Sequence, residues 1–188
     1  MRLTRAQRGK HLASPGGQAA ILFTVGEFTF AVPADVIREI QGLQDLRLIA
    51  SELSPIRSLH NTPAPGIGTL GKKVRHTLHR GNRLHFVIDA NYFFGLQPSS
   101  STRVLIFRGQ PVGLKVDGIE RMTLLTQTVP LPLAFRGEER RWYANLAIVE
   151  NRVVPVLNTD ALLSRLEITT LETLLARSEE NIFSAVVS

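Results

Sequence analysis

Over most of this chain the apolar residues fall in short alternating runs and not at the i, i+3, i+4 spacing of helices. Residues 21–32 read ILFTVGEFTFAV, two β-branched and aromatic runs split by Gly26-Glu27, which predicts a tight hairpin between half-buried strands. Pro33 cannot donate to a sheet ladder, so the strand should end there, and the alternation resumes over 35–40 (DVIREI) as another short strand. Residues 84–89 (LHFVID) form a compact apolar strand, and 90–96 (ANYFFGL) follow as a short helical turn closed by Gly95 and Pro98. The second half repeats this order. Residues 104–122 again run apolar, glycine, apolar, acid, with Gly109 standing where Gly26 stood, and 152–163 mirror 84–96, with Val156-Leu157-Asn158 in the place of Val87-Ile88-Asp89.

Two successive sets of short strands at spacings of roughly 8–12 residues predict two small barrels packed together, a mostly β fold without a βαβ rhythm. Between the sets, Pro55, Pro63, Pro65, Gly66, Gly68 and Gly71 predict a long surface connection over about 54–79. At the C-terminus, Thr169 to Glu172 offers a capping box. Leu171, Leu174, Leu175 and Ile182 recur at helical spacing opposite Glu172, Arg177, Glu179 and Glu180. An amphipathic helix is expected, docked on its own domain because so short a helix needs a surface to pack on. The expected organisation is a basic flexible tail over 1–17, the two-lobed domain over 18–166, and a helix and tail over 167–188.

Composition narrows the class. The chain has 188 residues, 44% hydrophobic and 20% charged, enough to bury one substantial core without a metal or disulfide. No apolar run approaches the roughly 18 residues of a membrane span, and residues 1–17 lack the apolar core of a secretory signal. The absence of cysteine excludes disulfides, thiolate metal sites and cysteine nucleophiles, and a cytoplasmic location is the expectation. The net charge of +6 is local: residues 1–17 and 53–88 hold ten basic side chains and no acids, and the rest of the chain carries a net of −4. A basic β-barrel binding single-stranded nucleic acid is therefore the alternative to weigh. It would want aromatic stacking platforms among the charges, and none lies between Lys72 and Arg83.

Catalytic constellations are hard to build. No G-x-S-x-G elbow, phosphate-binding glycine loop or dinucleotide fingerprint occurs. His76-x-x-His79 could offer two imidazoles to a metal, but no acid lies between Glu52 and Asp89 to complete the site. An acid–base pair of His79 or His85 with Asp89 rests on proximity in sequence alone. The expectation is a non-enzyme with no cofactor, no metal and no small-molecule substrate.

Four ordered blocks over nearly all of 20–166 resemble the CheW-like chemotaxis coupling domain. They are the hairpin Phe23-Thr24-Val25-Gly26 through Val36-Ile37-Arg38-Glu39-Ile40; Arg80-Gly81 through Phe86-Val87-Ile88-Asp89; Val112-Gly113-Leu114-Lys115-Val116-Asp117; and Val153-Val154-Pro155-Val156-Leu157-Asn158 leading to Leu162-Leu163. The resemblance implies two small intertwined five-stranded SH3-like β-barrels with a hydrophobic core between them. It also implies a cytoplasmic adaptor at membrane receptor arrays, with two partners: the regulatory domain of a CheA-type histidine kinase and the cytoplasmic tip of chemoreceptors. By the same resemblance Ile37 and Glu39 lie on one partner surface and Arg80-Gly81 at the receptor or kinase junction, with Asp89, Val116 and Asp117 completing the partner-binding set.

Overall fold

The computed structural model describes residues 17–49, 73–97 and 99–186. The tail expected over 1–17, apart from Gly17, and the loop expected over 54–79, up to residue 72, lie outside the described residues. The strands run β1 (Gln18–Val25), β2 (Phe28–Pro33), β3 (Ile37–Gln41), β4 (Leu46–Leu48), β5 (Val74–Arg80) and β6 (Arg83–Asp89). The one-turn helix α1 (Ala90–Phe93) follows, then β7 (Arg103–Phe107), β8 (Val112–Val116), β9 (Gly118–Leu125), β10 (Thr128–Val129), β11 (Tyr143–Val149) and β12 (Arg152–Leu157). The long helix α2 (Arg165–Val186) ends the described chain. The Gly26-Glu27 hairpin forms as read: Val25 pairs with Phe28, and Gly26 takes a φ of 60° that a side chain would resist.

The strands form two six-stranded sheets, ordered β10-β11-β12-β2-β1-β9 and β3-β7-β8-β6-β5-β4. These orders superimpose once β1–β6 are matched in turn with β7–β12, so the internal repeat is six strands long. Each sheet, however, takes its hairpin from one repeat and its other four strands from the other. The lobes are intertwined through two parallel pairings, β12 with β2 and β6 with β8. In each sheet the two edge strands are consecutive in the chain. Residues 42–45 join β3 to β4, and 126–127 join β9 to β10. Links of four and two residues reach at most about 18 and 11 Å, so each sheet must curl until its edges approach one another. The sixth strand beyond the expected five is the short β4 in one lobe and the two-residue β10 in the other.

Alternation assigns each side chain to one of three cores. Odd positions of β1 (Ile21, Phe23, Val25) enter the large core between the lobes, together with Phe86, Ile88, Leu105, Phe107 and Leu114. Even positions (Ala20, Leu22) fill the interior of their own lobe with Ala31, Ala147, Val154 and Val156. The other lobe is filled by Leu78, Val87, Val104 and Ile106. Both faces of β1, β6 and β7 are thus apolar, which is why they read as runs of buried residues. Small residues sit at the tight centres. Ala31 opposite Val156 and Gly113 opposite Val87 are equivalent positions of the repeat.

Two expectations need correcting. Residues 74–79 are strand, not loop, because Val74 and Leu78 are fully buried and anchor β5 against β6 despite the flanking polar residues. The C-terminal helix starts earlier than the Thr169 capping box predicts. Ser164 and Glu167 make the reciprocal pair: the Ser164 amide donates to the Glu167 carboxylate at 2.7 Å, and the Glu167 amide donates to the Ser164 hydroxyl at 3.2 Å. Thr170 and Thr173 lie inside the helix, their hydroxyls donating to the carbonyls of Leu166 and Thr169. Leu171 and Leu175 enter the inter-lobe core, so the helix docks on its own domain as expected; the side chain of Ile182 lies outside the described residues.

Candidate partner-binding surface

The charged residues of the four sequence blocks fall into three groups. At the open seam of the β3–β8 sheet, β3 carries Glu39 and β5 ends in Arg80. The Arg80 Nε reaches a Glu39 carboxylate oxygen at 3.3 Å, and its Nη1 lies 3.7 Å from Asp45, in the turn before β4. Glu39 and Arg80 are each about one-third exposed, 31% and 36% by side chain, so the cluster faces solvent as it spans the seam. Exposed Ile40 and Leu48 lie on the same pair of edge strands. Gly81, next to Arg80, occupies the first central position of the two-residue β5–β6 turn with a φ of 58°, the conformation that position of a type II′ turn requires. A guanidinium held between two carboxylates, flanked by exposed apolar side chains, is suited to exchanging one intramolecular carboxylate for an acid on a partner.

The second group centres on Asp117, between β8 and β9. Its carboxylate accepts from the Gly26 amide at 2.6 Å, from Asn91 at 2.9 Å, from Ser101 at 3.1 Å and from the Ser99 hydroxyl. Burial pushes this carboxyl up, and the hydrogen bonds from Ser99, Gly26, Asn91 and Ser101 outweigh it, so the group is held below the usual carboxylate range. These bonds tie the β1–β2 hairpin, α1 and the approach to β7 to one point. Asp117 is a fastening between the lobes, its oxygens occupied from within the chain.

The third group is the half-buried pair of Asp89 and Lys115, 2.7 Å apart on the parallel strands β6 and β8. Asp89 also caps α1, accepting from the Tyr92 amide at 3.5 Å. His76 lies nearby; burial and Lys115 lower its pKa, with Asp89 acting against them and Arg75 adding to the fall.

Set against the sequence-predicted positions, the structure joins Glu39 and Arg80, which the blocks place apart, with Gly81 beside them in the β5–β6 turn, and groups Asp89 and Asp117 elsewhere. Ile37 and Val116 are buried in the inter-lobe core and offer no side chain to a partner. The acid–base reading of His85 with Asp89 fails on geometry. The two stand four residues apart on one strand, about 13 Å along its axis, and Asp89 is already paired with Lys115. His76 and His79 are three apart on β5 and so point to opposite faces, which rules out a shared metal. Among the described residues no group of three or more His, Asp or Glu could hold a metal ion. Sequence reading missed Asp45 and Lys115 as partners of Arg80 and Asp89. The parallel β6–β8 register that brings Lys115 to Asp89 has no local signal, and Asp45 could have been found only from the shortness of the β3–β4 link.

What the geometry defines is a two-lobed β scaffold with a charged seam. The family model of the CheW-like domain matches residues 19–167, and the chain belongs to that family. No curated protein matches the sequence. Fifteen chains of solved structure match, among them the scaffolding protein TtCheW from Thermoanaerobacter tengcongensis, with a TM-score of 0.58 and 16% identity over 78% of this chain and 92% of that one. At that identity the likeness is one of fold. No helix among the described residues is long and apolar enough to cross a membrane.

Proposed function

We propose that this chain is a non-catalytic adaptor of chemotaxis-type signalling that couples chemoreceptors to a CheA-type histidine kinase. The observation that carries the reading is membership of the CheW-like family over residues 19–167, on a fold shared with a scaffolding protein. The Glu39–Arg80–Asp45 seam supports it by supplying an exposed, orientable guanidinium beside apolar edge strands. In this reading the seam engages the kinase regulatory domain or the receptor tip, and Asp117 keeps the two lobes in the relation both partners recognise.

The test is a titration of the full chain against a CheA-type regulatory domain and against a receptor-tip hairpin, singly and together. Saturable binding to both at tens of micromolar or tighter, the range of small transient interfaces, supports the adaptor. Failure of both partners to bind a folded protein sinks it. The nucleic-acid alternative predicts salt-sensitive binding of single-stranded oligonucleotides.

A further inference from the structure

A pocket of about 530 Å³ opens between the start of β6, the β7–β8 turn and helix α2. Its walls carry three arginines, Arg38, Arg83 and Arg108, and a single acid, Glu172 of α2. Neither Arg38 nor Arg83 has an ion-pair partner among the described residues. Arg108 is held by its Nε, which donates to the Ile37 carbonyl at 2.8 Å and so leaves the outer face of its guanidinium available. The wall also includes His85, only 2% exposed, whose Nδ1 is buried with no hydrogen-bond partner in the structure. Three arginines against one acid leave the cavity with an excess of positive charge that an anion would offset.

We propose that this pocket binds a small phosphorylated molecule, with Arg38, Arg83 and Arg108 on the phosphate and Leu84 and Pro111 against the organic part. A carboxylate is filled by one guanidinium fork, whereas a phosphate dianion has the charge and the oxygens to take more than one. The pocket exceeds what a bare anion occupies and falls in the range of about 300–1,000 Å³ typical of small-molecule sites. The half-buried Leu84 and Pro111 supply an apolar wall. The frame is preformed: the Phe86 amide donates to the Pro111 carbonyl at 2.8 Å, and the Gln110 side chain donates to the Thr159 carbonyl at 3.2 Å, pinning the β7–β8 turn from two sides. The inference does not depend on the adaptor role, since it concerns a pocket whose lining omits Glu39, Arg80 and Asp45.

The experiment titrates the full chain with adenosine 5′-monophosphate, pyrophosphate and adenosine at low salt, followed by NMR of the backbone, arginine Nε and histidine ring signals. Both phosphorylated probes should give saturable shifts at Arg38, Arg83, Arg108 and His85, and adenosine should not. An anion beside the imidazole should also raise the His85 pKa. Arg83→Glu and Arg38→Glu should each weaken binding at least about tenfold, and Arg121→Glu, on the other lobe, should leave it unchanged. No saturable shift up to about 5 mM overturns the proposal, as does equal loss in the Arg121→Glu variant, which would mean diffuse charge attraction. An acidic peptide that binds here where the phosphorylated probes do not also overturns it and makes the pocket a protein-docking surface.

Discussion

Arg80 near the end of β5 reaches Glu39 on β3 at 3.3 Å and Asp45 before β4 at 3.7 Å, so one guanidinium bridges strands that stand far apart in the order of their sheet. The contact is the charged counterpart of the short 42–45 link, which already draws those edges together. Reversing either charge should lower stability by about 0.5–1 kcal/mol, the scale of a partly exposed pair, and the Glu39→Arg, Arg80→Glu exchange should recover part of it. Urea denaturation of the four proteins of this cycle measures the coupling. A coupling energy of zero would mean the pair contributes nothing to the seam. If the exchange recovers stability and leaves partner binding weak, the seam itself is a contact surface; recovery of both makes its role structural.

Asp117 should matter more than its exposure suggests. Asp117→Ala strips an acceptor from the Gly26 amide, Asn91 and two serine hydroxyls at once and should cost about 1–3 kcal/mol. Because its folded pKa lies below the ordinary value of 3.8, its stabilisation is complete above that pH and disappears as pH falls through the lower folded value. The stability difference between wild type and variant should therefore be constant above about pH 3.8 and shrink as pH falls below it toward the folded value. Parallel curves throughout would show that the carboxylate charge is irrelevant.

A second pH window belongs to His85 and His76. Burial, with Arg38 beside His85 and Lys115 beside His76, lowers both pKa values from 6.5; the Arg83 and Leu78 carbonyls and Glu39 oppose the fall at His85, and Asp89 opposes it at His76. The unfolded chain then binds protons more readily, so stability should be unaffected above about pH 7 and should fall as pH drops through 6.5 toward the folded values. His85→Gln should flatten part of this slope between pH 7 and 5. An unchanged slope in that variant would assign the whole effect to His76 and other groups.

Gly113 sits where a side chain has no room. A Cβ there would lie 3.2 Å from both Ile106 Cδ1 and Val104 Cγ1 and 3.3 Å from the Leu105 carbonyl oxygen. Gly113→Val should destabilise by about 1–3 kcal/mol or more through overpacking, and Gly113→Ala by less. The equivalent position of the other lobe already carries Ala31, so Ala31→Val should also destabilise, by closing on Ala20, Ala147 and Val156. Equal tolerance of valine at both sites in thermal melts would contradict the small-residue account of the two interiors.

Much of this architecture was legible before any coordinates. The two hairpin glycines, the strand ending in Asp89 and the equivalence of 84–96 with 152–163 all reappear as matched elements, because alternation and turn chemistry act within a few residues. The strand over 74–80 was hidden because its alternation is interrupted by a bulge between Val74 and His76 and diluted by charged residues. The true helix start at Ser164 was hidden because a serine-to-glutamate spacing at 164–167 competes with a threonine-to-glutamate spacing at 169–172, and only packing of Ile168, Leu171 and Leu175 onto the inter-lobe core selects the first.

By itself, then, the sequence determined the hairpin over 21–32, the strand and turn over 84–96, the recurrence of their order in the second half, and the family that the ordered blocks resemble; all of these are carried by neighbours in the chain. Tertiary structure alone decided that each sheet borrows its hairpin from the opposite repeat. It also decided that Arg80 meets Glu39 across 41 residues and that Arg38, Arg83 and Arg108 converge on one pocket. The reason is that a strand buried on both faces specifies no partner by its own pattern. The choice falls to whichever long-range pairing fills all three cores at once, and the charged side chains go where that pairing carries them.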